Sequence, residues 1–117
     1  MKNPSETLPL TTLTYHILLA LADGDRHGYG IIKEVEHRTN RSMLIETGAV
    51  YHAIRRMRDE ELIEPVPIGK RPSEVDSRRR TYRLTSWGRK VLKAESARLR
   101  QLVEIAEAKR VLQARAT

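Results

Sequence analysis

A chain of 117 residues has the size of one small domain, with room for an appended interaction element. Its 22 Lys and Arg against 15 Asp and Glu leave a net charge of +7, which suits a polyanionic partner: nucleic acid first, an anionic membrane surface second. Cysteine is absent, which excludes disulfides, thiolate nucleophiles and Cys-based zinc sites.

In chain order, residues 1–9 read as a loose N-terminal arm. They lack the charged start and apolar run of a signal peptide. Leu10, Leu13, Ile17 and Leu21 recur at steps of three and four, the spacing of one helical face. The longest apolar stretch, Ile17 to Ala22, is too short to cross a bilayer, so a cytoplasmic protein is expected. Asp23-Gly24-Asp25 ends the first helix with turn chemistry. A second helix is expected from Tyr29 to Thr39, with Tyr29, Ile32 and Val35 turned inward, and Asn40-Arg41-Ser42 breaks it. A third starts near Thr47, a candidate N-cap, buries Val50, Ile54 and Met57, and reaches its limit at Glu61.

The period then shortens. Leu62 to Ile68 alternates, but Pro65 and Pro67 restrict it to an irregular or edge strand. Gly69 to Arg78 is a polar, charged loop, and Arg80 to Leu84 alternates again with Tyr82 and Leu84 on the apolar side. Two strands around a basic loop make a long-loop hairpin. Thr85 or Ser86 can cap a last helix that runs to about Ala114. One apolar stripe on it joins Trp87, Val91, Ala94, Leu102, Ile105 and Leu112. An adjacent one joins Leu92, Leu99, Val103 and Ala106. A helix apolar over this much of its circumference needs two neighbours, its own domain and a second copy of the chain. Val91, Leu99, Leu102, Ile105 and Leu112 are therefore candidate dimerisation residues, and the domain plan is an arm 1–9, a binding domain 10–85 and a dimerisation helix 86–117.

Three helices, a basic-tipped hairpin and a long helix form the order of a winged helix-turn-helix, mainly α with a small β-wing. A helix fits the major groove, where base edges display a readable pattern. The third helix is divided accordingly: its apolar residues pack while Tyr51, His52, Arg55 and Arg56 project, with Thr47 and Gly48 leading. Its acids, Asp59, Glu60 and Glu61, sit at the C-terminal end, which docking points away from phosphate. On the hairpin, Lys70, Arg71, Arg78, Arg79 and Arg80 are candidate contacts to phosphates or the minor groove. Because the basic surplus lies in two separate segments rather than along one amphipathic helix, the membrane is disfavoured.

The runs His27-Gly28-Tyr29-Gly30-Ile31-Ile32-Lys33, Gly48-Ala49-Val50-Tyr51-His52-Ala53-Ile54-Arg55-Arg56-Met57 and Arg78-Arg79-Arg80-Thr81-Tyr82-Arg83-Leu84-Thr85-Ser86-Trp87-Gly88 together resemble the PadR-like family of winged-helix transcription regulators. The likeness covers about Leu13 to Leu92. Glu46-Thr47 stands where that family often has Ser-Pro, and His52 where proline is common. The resemblance implies a sequence-specific repressor that binds double-stranded DNA as a homodimer through its C-terminal helix, some members releasing DNA when a small molecule binds. Trp87, the only Trp, is by default a core anchor and otherwise a platform for a small hydrophobic effector.

Competing readings are a nonspecific architectural DNA binder, a protein–protein adaptor on the same scaffold, and membrane-surface attachment. His16, His27, His37 and His52 are scattered without metal spacing, and no nucleophile, phosphate-loop or dinucleotide motif appears. Gly28-Tyr29-Gly30 is read as lacking a preceding strand. No metal, cofactor or enzymatic activity is expected.

Overall fold

The computed structural model describes residues 2–39, 46–67 and 80–115. Helix α1, Thr12–Ala20, opens where the Thr11 side chain accepts the Thr14 backbone N–H at 3.1 Å. It buries Ile17, Leu18 and Ala20, and Leu21 just beyond it. A two-residue strand, β1 (Arg26–His27), leads straight into α2, Gly28–Arg38. This strand corrects the expectation that nothing extended precedes Gly28. The buried stripe of α2 is Gly28, Ile31, Ile32 and Val35. Tyr29 falls about 100° round the helix from Gly28 and is 58% exposed, so it is a surface residue and not the core residue expected.

Helix α3, Thr47–Asp59, buries Val50, Ala53, Ile54 and Met57. Its N-cap is Glu46, which makes no side-chain cap bond; Thr47 is the first helical residue and not the cap. The helix closes through two reversed bonds. Glu61 N–H donates to the Arg58 carbonyl at 3.0 Å, and Leu62 N–H donates to the Met57 carbonyl at 2.9 Å. That closure holds Glu61 at φ 62°, a left-handed conformation that usually falls to glycine.

The chain then enters β2 (Ile63–Pro65), which pairs antiparallel with β3 (Thr81–Leu84). On its other edge β3 pairs with β1, so the sheet order is β1-β3-β2. Tyr82, on the central strand, is buried and Leu84 half-buried, as the alternation predicts. The irregular strand expected over 62–68 shortens to three residues ending at Pro65, which has no N–H to continue a ladder. Thr85 caps α4, Ser86–Ala108, by accepting the Gly88 N–H at 2.9 Å.

Helix α4 ends six residues before the expected Ala114. Arg110 N–H donates to Glu107 and Val111 N–H to Ala106, with Arg110 at φ 61°, the same reversed closure that ends α3. Leu112 consequently lies beyond the helix. Val91, expected at a subunit contact, is fully buried in the chain's own core and has no surface left to offer.

Two contacts fix α4 on the domain. A Cβ at Gly88 would sit 1.9 Å from the Leu62 carbonyl oxygen, so only glycine allows the helix to start there. Further along, Glu95 is 1% exposed, the one buried charged residue among those described. It accepts the Leu10 N–H at 2.8 Å and a two-pronged bond from the Arg98 guanidinium. The bond from Arg98 holds the Glu95 carboxyl below the usual range against the opposing cost of burial, and Leu10 adds to the lowering. The arm is thus not loose: Pro4–Thr7 form a turn of 3-10 helix capped by Asn3, and Leu8 and Leu10 pack against the core. Tyr15 closes the same interface. Since Ser96 donates its hydroxyl to the Leu92 carbonyl, the Tyr15 hydroxyl donates to Ser96 at 2.8 Å.

Gly88→Ala should lower unfolding stability by about 3 kcal/mol, as read by urea denaturation, because backbone and not a pliable side chain blocks the new methyl. Glu95→Gln should cost about 2 kcal/mol at neutral pH. Because the folded Glu95 carboxyl titrates below its unfolded value, its stabilisation is present above the ordinary carboxylate range and lost as pH falls through the folded value. The variant should therefore lose stability less steeply than the parent below about pH 4, measured as unfolding free energy against pH.

Candidate nucleic-acid interface

The packing of α3 decides which side chains can reach a partner. With Val50, Ala53, Ile54 and Met57 on the buried side, the opposite stripe runs through Gly48, His52, Arg55 and Asp59 at helical steps of four and three. All four are exposed. Thr47 is exposed on one flank, with Tyr51 half-buried beside it, and Ala49 and Arg56 lie on the other flank.

The two arginines expected to act together diverge. Arg55 and Arg58 line a cleft of about 600 Å³ together with the acids Asp59, Glu61 and Glu64 and with Ile63, Pro65, Thr85 and Trp87. Arg56 instead lines a small hollow with Thr7, Thr11, Thr14 and Glu60 at the foot of α1. Helical spacing alone does not single out Arg58; its place one turn after Ile54, on the side of β2, becomes evident only once β2 folds back. Gly48 is informative for the opposite reason to Gly88. A Cβ there would meet nothing within 4 Å, so the fold does not require glycine, whereas a backbone approaching a partner closely benefits from it.

The charges on this face are unevenly committed. Glu64 is held by Arg83 at 2.9 Å, and Glu61 lies 3.7 Å from Lys2. Neither Arg55 nor Arg58 has an ion pair among the described residues, so the α3 surface ahead of Asp59 is net cationic. Arg80 stands half-buried at the start of β3. Lys70, Arg71, Arg78 and Arg79, the rest of the expected basic wing, lie outside the described residues.

Trp87 is half-buried against the core, and its ring lies 5.6 Å from the Lys2 ammonium. It lines the cleft shared with Arg55 and a second hollow shared with Lys2, Asn3 and Glu6. On α4, Leu99 is half-buried, while Leu102, Val103 and Ile105 are nearly half exposed; Leu112 is 48% exposed in the turn that follows. Among the described residues no group of three or more His, Asp or Glu is placed to hold a metal, and no helix is long and apolar enough to cross a membrane.

Comparison with known proteins accounts for this arrangement. An uncharacterized protein of Lysinibacillus sphaericus is 30% identical over 94 residues, which cover 76% of this chain and 82% of that protein. A PadR family transcription regulator of Clostridium difficile superposes with a TM-score of 0.64 at 26% identity, covering 82% of this chain and 95% of the other. Bacillus subtilis PadR, solved in complex with operator DNA, shares the fold at a TM-score of 0.60 and 22% identity. The match covers 74% of this chain and 47% of that one, so this chain spans about half its length. The fold is a winged helix, with the small antiparallel sheet as its wing. Residues 17–94 match the Transcriptional regulator PadR-like family, and the chain belongs to it.

Proposed function

We propose that the chain is a sequence-specific DNA-binding repressor that works as a homodimer in the cytoplasm. The observation that carries this reading is the outward stripe of α3. Gly48, His52 and Arg55 are exposed on a helix whose other side is locked into the core, with no acid from Thr47 to Arg58. The N-terminal half of such a helix can enter a major groove, where His52 and Arg55 meet base edges and Thr47 and Tyr51 meet the flanking strand. Arg56, on the flank nearest α1, takes a phosphate. Arg80, Lys70, Arg71, Arg78 and Arg79 extend the contact along the backbone from the wing. The operator complex of Bacillus subtilis PadR supports this docking for the shared fold.

The exposed apolar residues Leu102, Val103 and Ile105 support pairing through the second half of α4, with Leu99 and Leu112 at its borders. A two-fold dimer presents two copies of α3 and calls for a pseudo-palindromic operator. The Trp87 cleft is the candidate site for a small hydrophobic effector, since an occupant would touch α3 and the base of the wing together. Repression is the mode that the family resemblance implies.

Two measurements test the reading. In a titration of the DNA upstream of its own gene against unrelated duplex of equal length, the upstream DNA should bind more tightly. Arg55→Ala should remove most of that preference, about 1–3 kcal/mol for one base-reading side chain. Equal binding of both duplexes by the parent would favour an architectural protein, and no binding of either would favour an adaptor. Gly48→Ala should separate folding from recognition. Its unfolding free energy should be unchanged or higher by up to about 1 kcal/mol, while DNA affinity falls. A parallel fall in both would place the glycine's role in the fold.

A further inference from the structure

The ring of Trp87 carries a cation that belongs to the chain itself. The Lys2 ammonium lies 5.6 Å from the ring centroid, within reach of a cation–π contact. The same ammonium is 3.7 Å from the Glu61 carboxylate, and the two side chains are 67% and 74% exposed. A pair so exposed holds only weakly in water. The arm does not need it: Asn3 caps the 3-10 turn by accepting the Ser5 N–H, and Leu10 N–H donates to Glu95. Lys2 is therefore a tethered alkylammonium resting in a site that the arm's own fastening leaves free to exchange.

That site has unfilled room and unbalanced charge. A hollow of about 230 Å³ is lined by Lys2, Glu6 and Thr7 from the arm and by Glu60 and Trp87 from the domain. It shares only Trp87 with the cleft beside Arg55 and Arg58. Glu6 and Glu60 make no ion pair among the described residues, although Arg56 shares a neighbouring hollow with Glu60. Three carboxylates, Glu6, Glu60 and Glu61, thus stand around one ammonium. Glu60 is also the C-cap of α3, where the helix dipole adds negative potential. Among the described residues no three acids are placed to hold one metal ion, so the negative charge is spread too widely for a single ion to collect.

We propose that this hollow binds a linear aliphatic diammonium. One ammonium takes the place of Lys2 over Trp87, and the second lies beside Glu6 and Glu60. The inference is independent of the DNA-binding reading. A lysine side chain is itself an alkylammonium on a four-carbon stem, so the site already displays the chemistry of its ligand. The indole gives a methylene chain an apolar wall, and a second ammonium satisfies carboxylates that Lys2 alone leaves unpaired. Lys2 competes as a tethered group, at an effective concentration on the order of millimolar. The ligand therefore displaces it only when abundant. Because Glu60 closes α3, an occupant touches the end of that helix.

The test uses the full chain without DNA and α,ω-diaminobutane as the probe. Binding is read from the indole N–H resonance and the fluorescence of Trp87, the only Trp, with potassium chloride of equal ionic strength as control. The parent should show a saturable change with a midpoint on the order of millimolar. Lys2→Ala should tighten binding about threefold by removing the competitor, and Glu60→Gln should weaken it about threefold. Both side chains are exposed, so thermal unfolding midpoints should match the parent. A change no larger than that with potassium chloride, in the parent and in Lys2→Ala alike, would overturn the site. Equal affinity in the parent and Lys2→Ala would overturn the displacement of Lys2. A response to n-butylammonium as strong as that to the diamine would overturn the assignment to a diammonium.

Discussion

The carbonyl of Leu62 is where α3, the β2–β3 hairpin and the long helix α4 are joined. Leu62 ends the reversed closure of α3 through its own N–H and precedes the first residue of β2. Its carbonyl accepts the Thr85 N–H at 3.1 Å and lies against Gly88 with no room for a methyl group. Thr85 in turn caps α4, and its hydroxyl also faces the Glu61 carbonyl. One residue therefore sets the angle of α3 against the sheet and of α4 against both. In the proposed dimer that rigidity matters, because half-site spacing would be set by how α4 carries each α3 relative to the two-fold axis.

A second constraint acts from the other end of α4. The Glu95 carboxylate is buried, and its two oxygens are satisfied by Leu10 and Arg98. Removing any one partner would leave charge in an apolar surrounding, which is costly. The arm, α1 and α4 are fastened there by directional bonds, and the Tyr15–Ser96 bond lies one residue along. Beyond Leu99 the large apolar residues Leu102, Val103 and Ile105 turn to solvent.

Much of this was legible in the sequence because periodicity reports burial. Val50, Ile54 and Met57 at steps of four and three marked the inner side of α3, and Tyr82 marked the inner side of β3. What escaped has identifiable reasons. Strand β1 is two residues long, too short for any alternation to show. Tyr29 is aromatic and sits beside an apolar stripe, so composition placed it inward; only the start of α2 at Gly28 turns it out. Glu95 reads as one more charge on a helix rich in charges, and its burial depends on Leu10, 85 residues away. The ends of α3 and α4 turn on Glu61 and Arg110 adopting a conformation usual for glycine, which residue type does not announce. Val91 shows the limit of stripes on α4: the apolar pattern is continuous, but the partner changes from own domain to none along the helix.

The proposed site shares that mixture. The division of α3 into packing and projecting sides was readable, but the divergence of Arg55 from Arg56 depends on β2 and the foot of α1 flanking the helix. The central claim, that paired α3 helices read DNA, is tested most directly by chemical footprinting on DNA the chain prefers. The account predicts two protected major-groove segments related by two-fold symmetry, their centres about one helical turn or a whole multiple of it apart. A single protected segment, or uniform protection along the duplex, would contradict it.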